Sequence, residues 1–252
     1  MGEPREIAVG VWVIRHLGAN VYFVRGERGW VLIDAGWPGA GRTISAAASG
    51  LFGSDARPDA ILLTHAHPDH LGSVVELARS WKSPVYAPAA DLSLLAESVY
   101  DHPELLEPVG RLIAVVVRRL PDRVGARLSN PALRELVSPL PEIGDAVPGL
   151  SDWKAVAAPG HSPGHVVFFR SQDRVAVCGD VVMTGTLWGL SARQRVTLPP
   201  WIASSDWDQT RRAVATLAAL EPLVLASGHG TPLSGPFVAS ELRSFARRVA
   251  PY

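Results

Sequence analysis

Thr64-His65-Ala66-His67-Pro68-Asp69-His70 gathers three of the chain's eight histidines and one carboxylate into seven consecutive residues. The stretch follows Ala60-Ile61-Leu62-Leu63, an apolar run of strand length. In extended backbone, residues two apart point to the same side, so His65 and His67 can face one metal ion. Pro68 then turns the chain into a helix, since Leu71, Val74, Val75, Leu77 and Ala78 repeat with helical spacing. That turn can aim Asp69 and His70 at a second, neighbouring position. A solvated polar turn has no need of so many imidazoles beside a carboxylate, and the pattern points to metal binding.

Three weaker signals lie further along. Gly160-His161-Ser162-Pro163-Gly164-His165 sets His161 in a tight turn between two strands. Gly179-Asp180 puts a carboxylate at the end of the apolar run Val175-Ala176-Val177-Cys178, where Cys178 reads as a buried strand residue. Gly228-His229-Gly230 places a histidine in a loop after Leu223-Val224-Leu225. Each alone reads as a turn residue; in this order they complete a coordination set.

Around these signals the chain reads as one layered α/β unit spanning 1–252. Ile7 to Ile14, Asn20 to Arg25 and Trp30 to Asp34 form a strand meander, and Ala40 to Leu51 a helix closed by Gly53. Residues 87–148 are rich in leucine, valine, arginine and proline with helical periodicity, including a stripe from Leu105 to Val117. This segment is expected to be a helical insertion, packed on the core or serving as a lid over the substrate site. Strands return at Lys154 to Ala158, His165 to Arg170 and Arg174 to Cys178. Helices follow at Asp206 to Leu220 and Phe237 to Val249.

Composition narrows the partners. The 252 residues hold 24 basic and 24 acidic side chains, and 47% are hydrophobic. A formal net charge of +0 offers no field for nucleic acid or an anionic membrane, so neither is expected. No apolar run approaches the roughly 20 residues that span a bilayer. MGEPREIAVG at the N-terminus has no apolar signal region, and one cysteine excludes an internal disulfide. A cytoplasmic location is expected, and homodimerisation stays open.

The order His-x-His-x-Asp-His, then His161, Asp180 and His229, resembles the metallo-β-lactamase superfamily, particularly its glyoxalase II-like and lactonase-like branch. Val31-Leu32-Ile33-Asp34-Ala35-Gly36 resembles that family's strand-end aspartate-glycine motif. The resemblance covers nearly the whole chain and implies a four-layer αββα sandwich with metals at the shared edge of two sheets. It implies one metal on His65, His67 and His161, and a second on Asp69, His70 and His229, with Asp180 touching both. Nitrogen and oxygen donors without thiolate suit two divalent ions, zinc first, with iron or manganese admitted. The implied activity is a metallo-hydrolase reaction, in which a metal-bridging hydroxide attacks an acyl carbonyl and the leaving group is stabilised by the other metal or protonated through Asp69. Asp34 is expected to orient a ligand. His165 is expected to do the same or to be a buried structural residue, while His16, Asp101 and His102 read as ordinary polar residues.

Departures from the family's branches point to a small-molecule ester, lactone or thioester as substrate. Asp180 stands where true β-lactamases of this fold lack an aspartate. Only 23 residues follow His229, so the resemblance stops short of glyoxalase II's glutathione-binding extension. Val181, Val182 and Met183 occupy the stretch where many lactonases carry a tyrosine. Trp188, Trp201 and Trp207 would suit a lipophilic acyl chain, or belong to the core. The alternatives are an iron-dependent oxygenase resembling the persulfide dioxygenases and a phosphodiesterase or nuclease of the same fold.

Overall fold

In the computed structural model, residues 3–95, 132–142, 144, 146–185 and 196–251 are described. Seven strands form the first sheet in chain order: β1 (Arg5–Ala8), β2 (Val11–His16), β3 (Ala19–Arg25), β4 (Trp30–Ile33), β5 (Ala60–Leu62), β6 (Val85–Ala87) and β7 (Val137–Pro139). The first four pair antiparallel as a meander, and β4 to β7 run parallel. Helix α1 (Gly41–Phe52) makes the first crossover; α2 (Pro68–Leu71) and α3 (Val74–Trp81) make the second. A short helix, α4 (Ala132–Leu136), leads into β7.

The second sheet contains β8 (Trp153–Ala157), β9 (Val166–Arg170), β10 (Val175–Gly179), β13 (Val224–Ser227) and β14 (Leu233–Ser234). Its order is β14-β13-β10-β9-β8, with β10 and β13 parallel. A small ribbon of β11 (Met183–Thr184) and β12 (Val196–Thr197) lies between β10 and α5 (Trp207–Ala219) in sequence. The last helix, α6 (Phe237–Val249), has the boundaries expected from its periodicity.

Alternation of side chains along each strand divides the core into three layers of contact. Phe23, Leu32 and Ile61 face outward and pack with Ile44 of α1 and Leu77 of α3. Their neighbours Tyr22, Ile33 and Leu62 face the other way, meeting Phe168 and Val177 of the second sheet. Val167, Phe169 and Cys178 then face Val214 and Leu217 of α5 and Leu242 of α6. The result is the expected αββα sandwich. Each of these fully buried side chains contributes about 1.5–3 kcal/mol, and cutting Leu32 to alanine costs about 2–5 kcal/mol.

Three expectations need correction. Ile7 to Ile14 is two strands, because the chain turns at Val9-Gly10, where Gly10 has φ 72°. The 87–148 segment is not helical throughout: Val137 to Pro139 pair in parallel with Val85 to Ala87 on the first sheet. Three residues are too few to display a period of two, and Pro139 is tolerated because β7 is an edge strand. The residues expected to form the lid, with Asp101, His102 and Trp188, lie mostly or wholly outside the described ones. Finally, β5 ends at Leu62, so His65 and His67 sit on the loop beyond it. The backbone bends at Thr64 and His65 and is extended again at His67, with φ −85° and ψ 151°.

Two parallel pairs position the site. Parallel neighbours bring their carboxyl ends to one edge, which is where loops gather functional groups. Asp34 follows β4, His65 follows β5, Asp180 follows β10 and His229 lies two residues beyond β13. Among the described residues, no helix is long and apolar enough to cross a membrane.

Candidate metal centre

At that edge two donor groups stand side by side. His65, His67 and His161 each offer a ring nitrogen, all within 4.8 Å of one another; Asp69, His70, Asp180 and His229 form a second such group. All seven residues expected as ligands are therefore brought together. Asp180 reaches both groups: its Oδ2 lies 3.4 Å from His161 Nε2 and 3.3 Å from His229 Nε2, and its Oδ1 lies 3.6 Å from His70 Nε2. Asp69 Oδ2 is 3.0 Å from His229 Nε2.

The backbone explains how these groups converge. Extended His67 caps α2, and Pro68 opens that helix with the φ it needs and no lost donor. Asp69 and His70 thereby join Asp180 and His229, although the His70 ring stays 4.2 Å from that of His65. Gly179 adopts φ 46°, and a Cβ there would lie 2.6 Å from His165 Nε2 and 2.7 Å from Thr64 Oγ1. Gly228 leaves room for Asp180 and for His70, whose Cε1 would lie 2.7 Å from a Cβ.

Four of the five imidazoles, those of His65, His70, His161 and His229, are oriented through the far nitrogen, the arrangement that metal-ligating histidines use. His70 Nδ1 is 2.8 Å from Asp34 Oδ2, and the same carboxylate accepts from Thr64 N and Oγ1. This orienting role is the one expected of Asp34, which holds a left-handed φ of 62° to do it. His65 Nδ1 is 3.0 Å from Thr64 Oγ1, His161 Nδ1 is 3.2 Å from Ser204 Oγ, and His229 Nδ1 donates to the Gly18 carbonyl at 3.0 Å. The facing atoms tell the other half. His65 Nε2, His70 Nε2, His161 Nε2 and Asp180 Oδ1 are buried with no hydrogen-bond partner. Buried polar atoms normally have partners, so these orphaned nitrogens and oxygen fit divalent cations between them.

His165 is buried and accepts the Asp180 main-chain N–H at Nε2, 3.0 Å away, so it holds the turn of Asp180 rather than standing among the donors. Its ring stacks on His65 at 4.9 Å. Cys178 is fully buried as expected, and burial pushes its thiol far up. Two features were not anticipated from sequence. Asp91 is a buried carboxylate that touches both histidine loops of the first group. Asn20 and Tyr22 of β3 donate to the Ser227 carbonyl and tie down the His229 loop. Neither sits in a motif; only partners 25 to 210 residues away identify them.

The electrostatics separate the groups. Burial, then the neighbouring imidazoles, hold His65 well below the usual histidine range and bring His67 down to about 3. Burial would lower His70 and His229 too, but carboxylates outweigh it. Asp69, Asp34 and Asp180 raise His70 well above its ordinary value, and Asp180 and Asp69 raise His229 to about 10. Burial tends to raise Asp180, yet His229 and His70 hold it well below the usual carboxylate range.

The model of the metallo-β-lactamase superfamily matches residues 14–229, from β2 through the last donor. This chain belongs to the metallo-β-lactamase superfamily. Over 256 aligned residues it is 33% identical to the probable metallo-hydrolase YflN of Bacillus subtilis, covering 99% of this chain and 94% of that one. A hydroxyacylglutathione hydrolase of Acidiphilium cryptum is 27% identical across 95% of this chain and 69% of its own length. The subclass B3 metallo-β-lactamase BJP-1 of Bradyrhizobium japonicum shares the fold, with a TM-score of 0.67 at 24% identity over 98% of this chain and 90% of that one. The chain is thus a metallo-hydrolase of this superfamily, with a candidate divalent-metal centre at the edge of its two sheets.

Proposed function

We propose that this superfamily member is a dinuclear hydrolase of a small-molecule ester, lactone or thioester, with zinc as the first candidate metal. The observation that carries this reading is the reach of Asp180 to His161 on one side and to His70 and His229 on the other. His65, His67 and His161 would hold one ion, and Asp69, His70 and His229 the other, with Asp180 shared between them. Bound there, such a pair supplies a water of lowered pKa and polarises the carbonyl under attack. A mononuclear oxygenase would leave the whole second group without a task.

The chain's own residues do the rest. Asp69 is the most open of the second group's carboxylates, with 16% of its side chain exposed. Burial pushes its carboxyl up, but His70 and His229 bring it down to about 2, so it rests as a carboxylate, placed to take a proton from the attacking water and pass it to the departing oxygen or sulfur. The rim favours an apolar substrate. Leu17, 73% exposed, occupies the β2–β3 turn in a left-handed conformation, immediately before the Gly18 carbonyl that orients His229. Trp201, 43% exposed and so not a core residue, opens the 3-10 turn that leads to Ser204 beside His161. Trp207 is half-buried at the start of α5. The hydroxyacylglutathione hydrolase relative acts on a thioester by its name, which supports including that class here.

The test is proton release in a pH-stat, with zinc- and manganese-reconstituted protein on a long-chain lactone and a small thioester. Turnover abolished by EDTA and restored by metal is expected. Turnover that survives chelation, or phosphodiester cleavage with neither acyl substrate consumed, would overturn the proposal.

A further inference from the structure

We propose that Asp91, a residue outside every metal-binding motif, is the positioning residue of the first donor group, setting the affinity of that group for its metal and leaving the second group untouched. The inference rests on the two-metal reading above. Asp91 sits in the 3-10 turn Ala89–Leu95 and is fully buried. Its Oδ2 accepts the main-chain N–H of Ala66 at 3.0 Å and the Ser162 hydroxyl at 2.6 Å; its Oδ1 accepts the main-chain N–H of Gly164 at 2.6 Å. Ala66 lies between His65 and His67, and Ser162 follows His161. One carboxylate therefore clamps the two loops that carry all three histidines of the group.

No residue of the second group touches Asp91. Those side chains are held from elsewhere: His70 by Asp34, and the His229 loop by Asn20, whose Nδ2 donates to the carbonyls of Ser227 and Gly230 at 2.8 Å and 2.7 Å. The two clamps come from different segments and meet different loops. Only a carboxylate fits the first. An asparagine amide has one acceptor, so either flip leaves its NH2 against a main-chain N–H, of Ala66 or of Gly164. A buried donor facing a donor must move, and the loop must move with it.

The test is a chelator titration of the zinc-loaded full chain, which reads the release of each ion as a separate step. His67→Ala identifies the first group's step by abolishing it. Asp91→Asn should weaken that same step by about 10–100-fold, the usual effect of losing an orienting partner, and leave the other step in place. Asn20→Ala should do the reverse. Should Asp91→Asn not accumulate as folded protein, Ser162→Ala carries the test, with a smaller loss confined to the same step. Wild-type affinity for both ions, or an equal loss at both, would sink the proposal, since a merely structural role predicts the one or the other. A single release step in the wild type would instead refute the two-metal reading. The role of Asp91 then stands only if that step is the one His67→Ala abolishes and Asp91→Asn weakens it.

Discussion

The two donor groups share one edge of the sandwich, yet they solve the problem of buried charge in opposite ways. The first is three imidazoles, and burial with mutual repulsion keeps His65 and His67 neutral. Its nitrogens are free for a cation without displacing protons. The second mixes two imidazoles with two carboxylates, and in the metal-free protein His70 and His229 take protons to balance Asp69 and Asp180. Charges removed from water must be paired, so protons stand there in place of metal. The difference teaches that loading the second half must displace protons and so depends on pH, whereas loading the first half need not.

The strongest way to break this comparison is to remove what joins the halves. Asp180→Ala strips a contact from both groups, so hydrolysis should fall to background and both release steps should weaken in a chelator titration. Retention of both ions at wild-type affinity would show that Asp180 does not couple them. Asp34→Asn is expected to act on the second half alone. Asparagine tolerates the left-handed φ of residue 34, but the charge behind His70 Nδ1 is lost, and one metal should bind about 10–100-fold more weakly. Equal weakening of both steps would contradict the separation.

The smallest effect concerns pH and the metal-free chain. His229 is raised to about 10 from an unfolded value of about 6.5. Its pairing with Asp180 and Asp69 therefore stabilises the fold fully below about pH 6.5 and is lost as pH rises through about 10. Thermal melts of EDTA-treated protein should show Tm falling by a few degrees over that window, as roughly 1 kcal/mol does for a domain of this size. His229→Gln should flatten that slope. Zinc-loaded protein should not show it, because the cation replaces the protons.

Sequence by itself determined a great deal here. The seven candidate donors that the fold brings together were legible because metal chemistry restricts ligands largely to histidine and carboxylate here, and because His65-x-His67-x-Asp69-His70 compresses four of them into six residues. Strands and helices were legible because β3, β4 and β9 are β-rich apolar runs between turns and α3 and α6 carry a helical period, while the four-layer sandwich followed from the family resemblance. What only the tertiary structure decided is which residues aim those donors. Asp91, Ser204, Asn20 and Tyr22 act through hydrogen bonds to loops that are distant in the chain, and such bonds leave no local pattern. The turn at Val9-Gly10 and the strand Val137–Pro139 escaped for a related reason. Three or four residues are too short to carry a period, and pairing with a neighbour across the sheet, not their own composition, makes them strands.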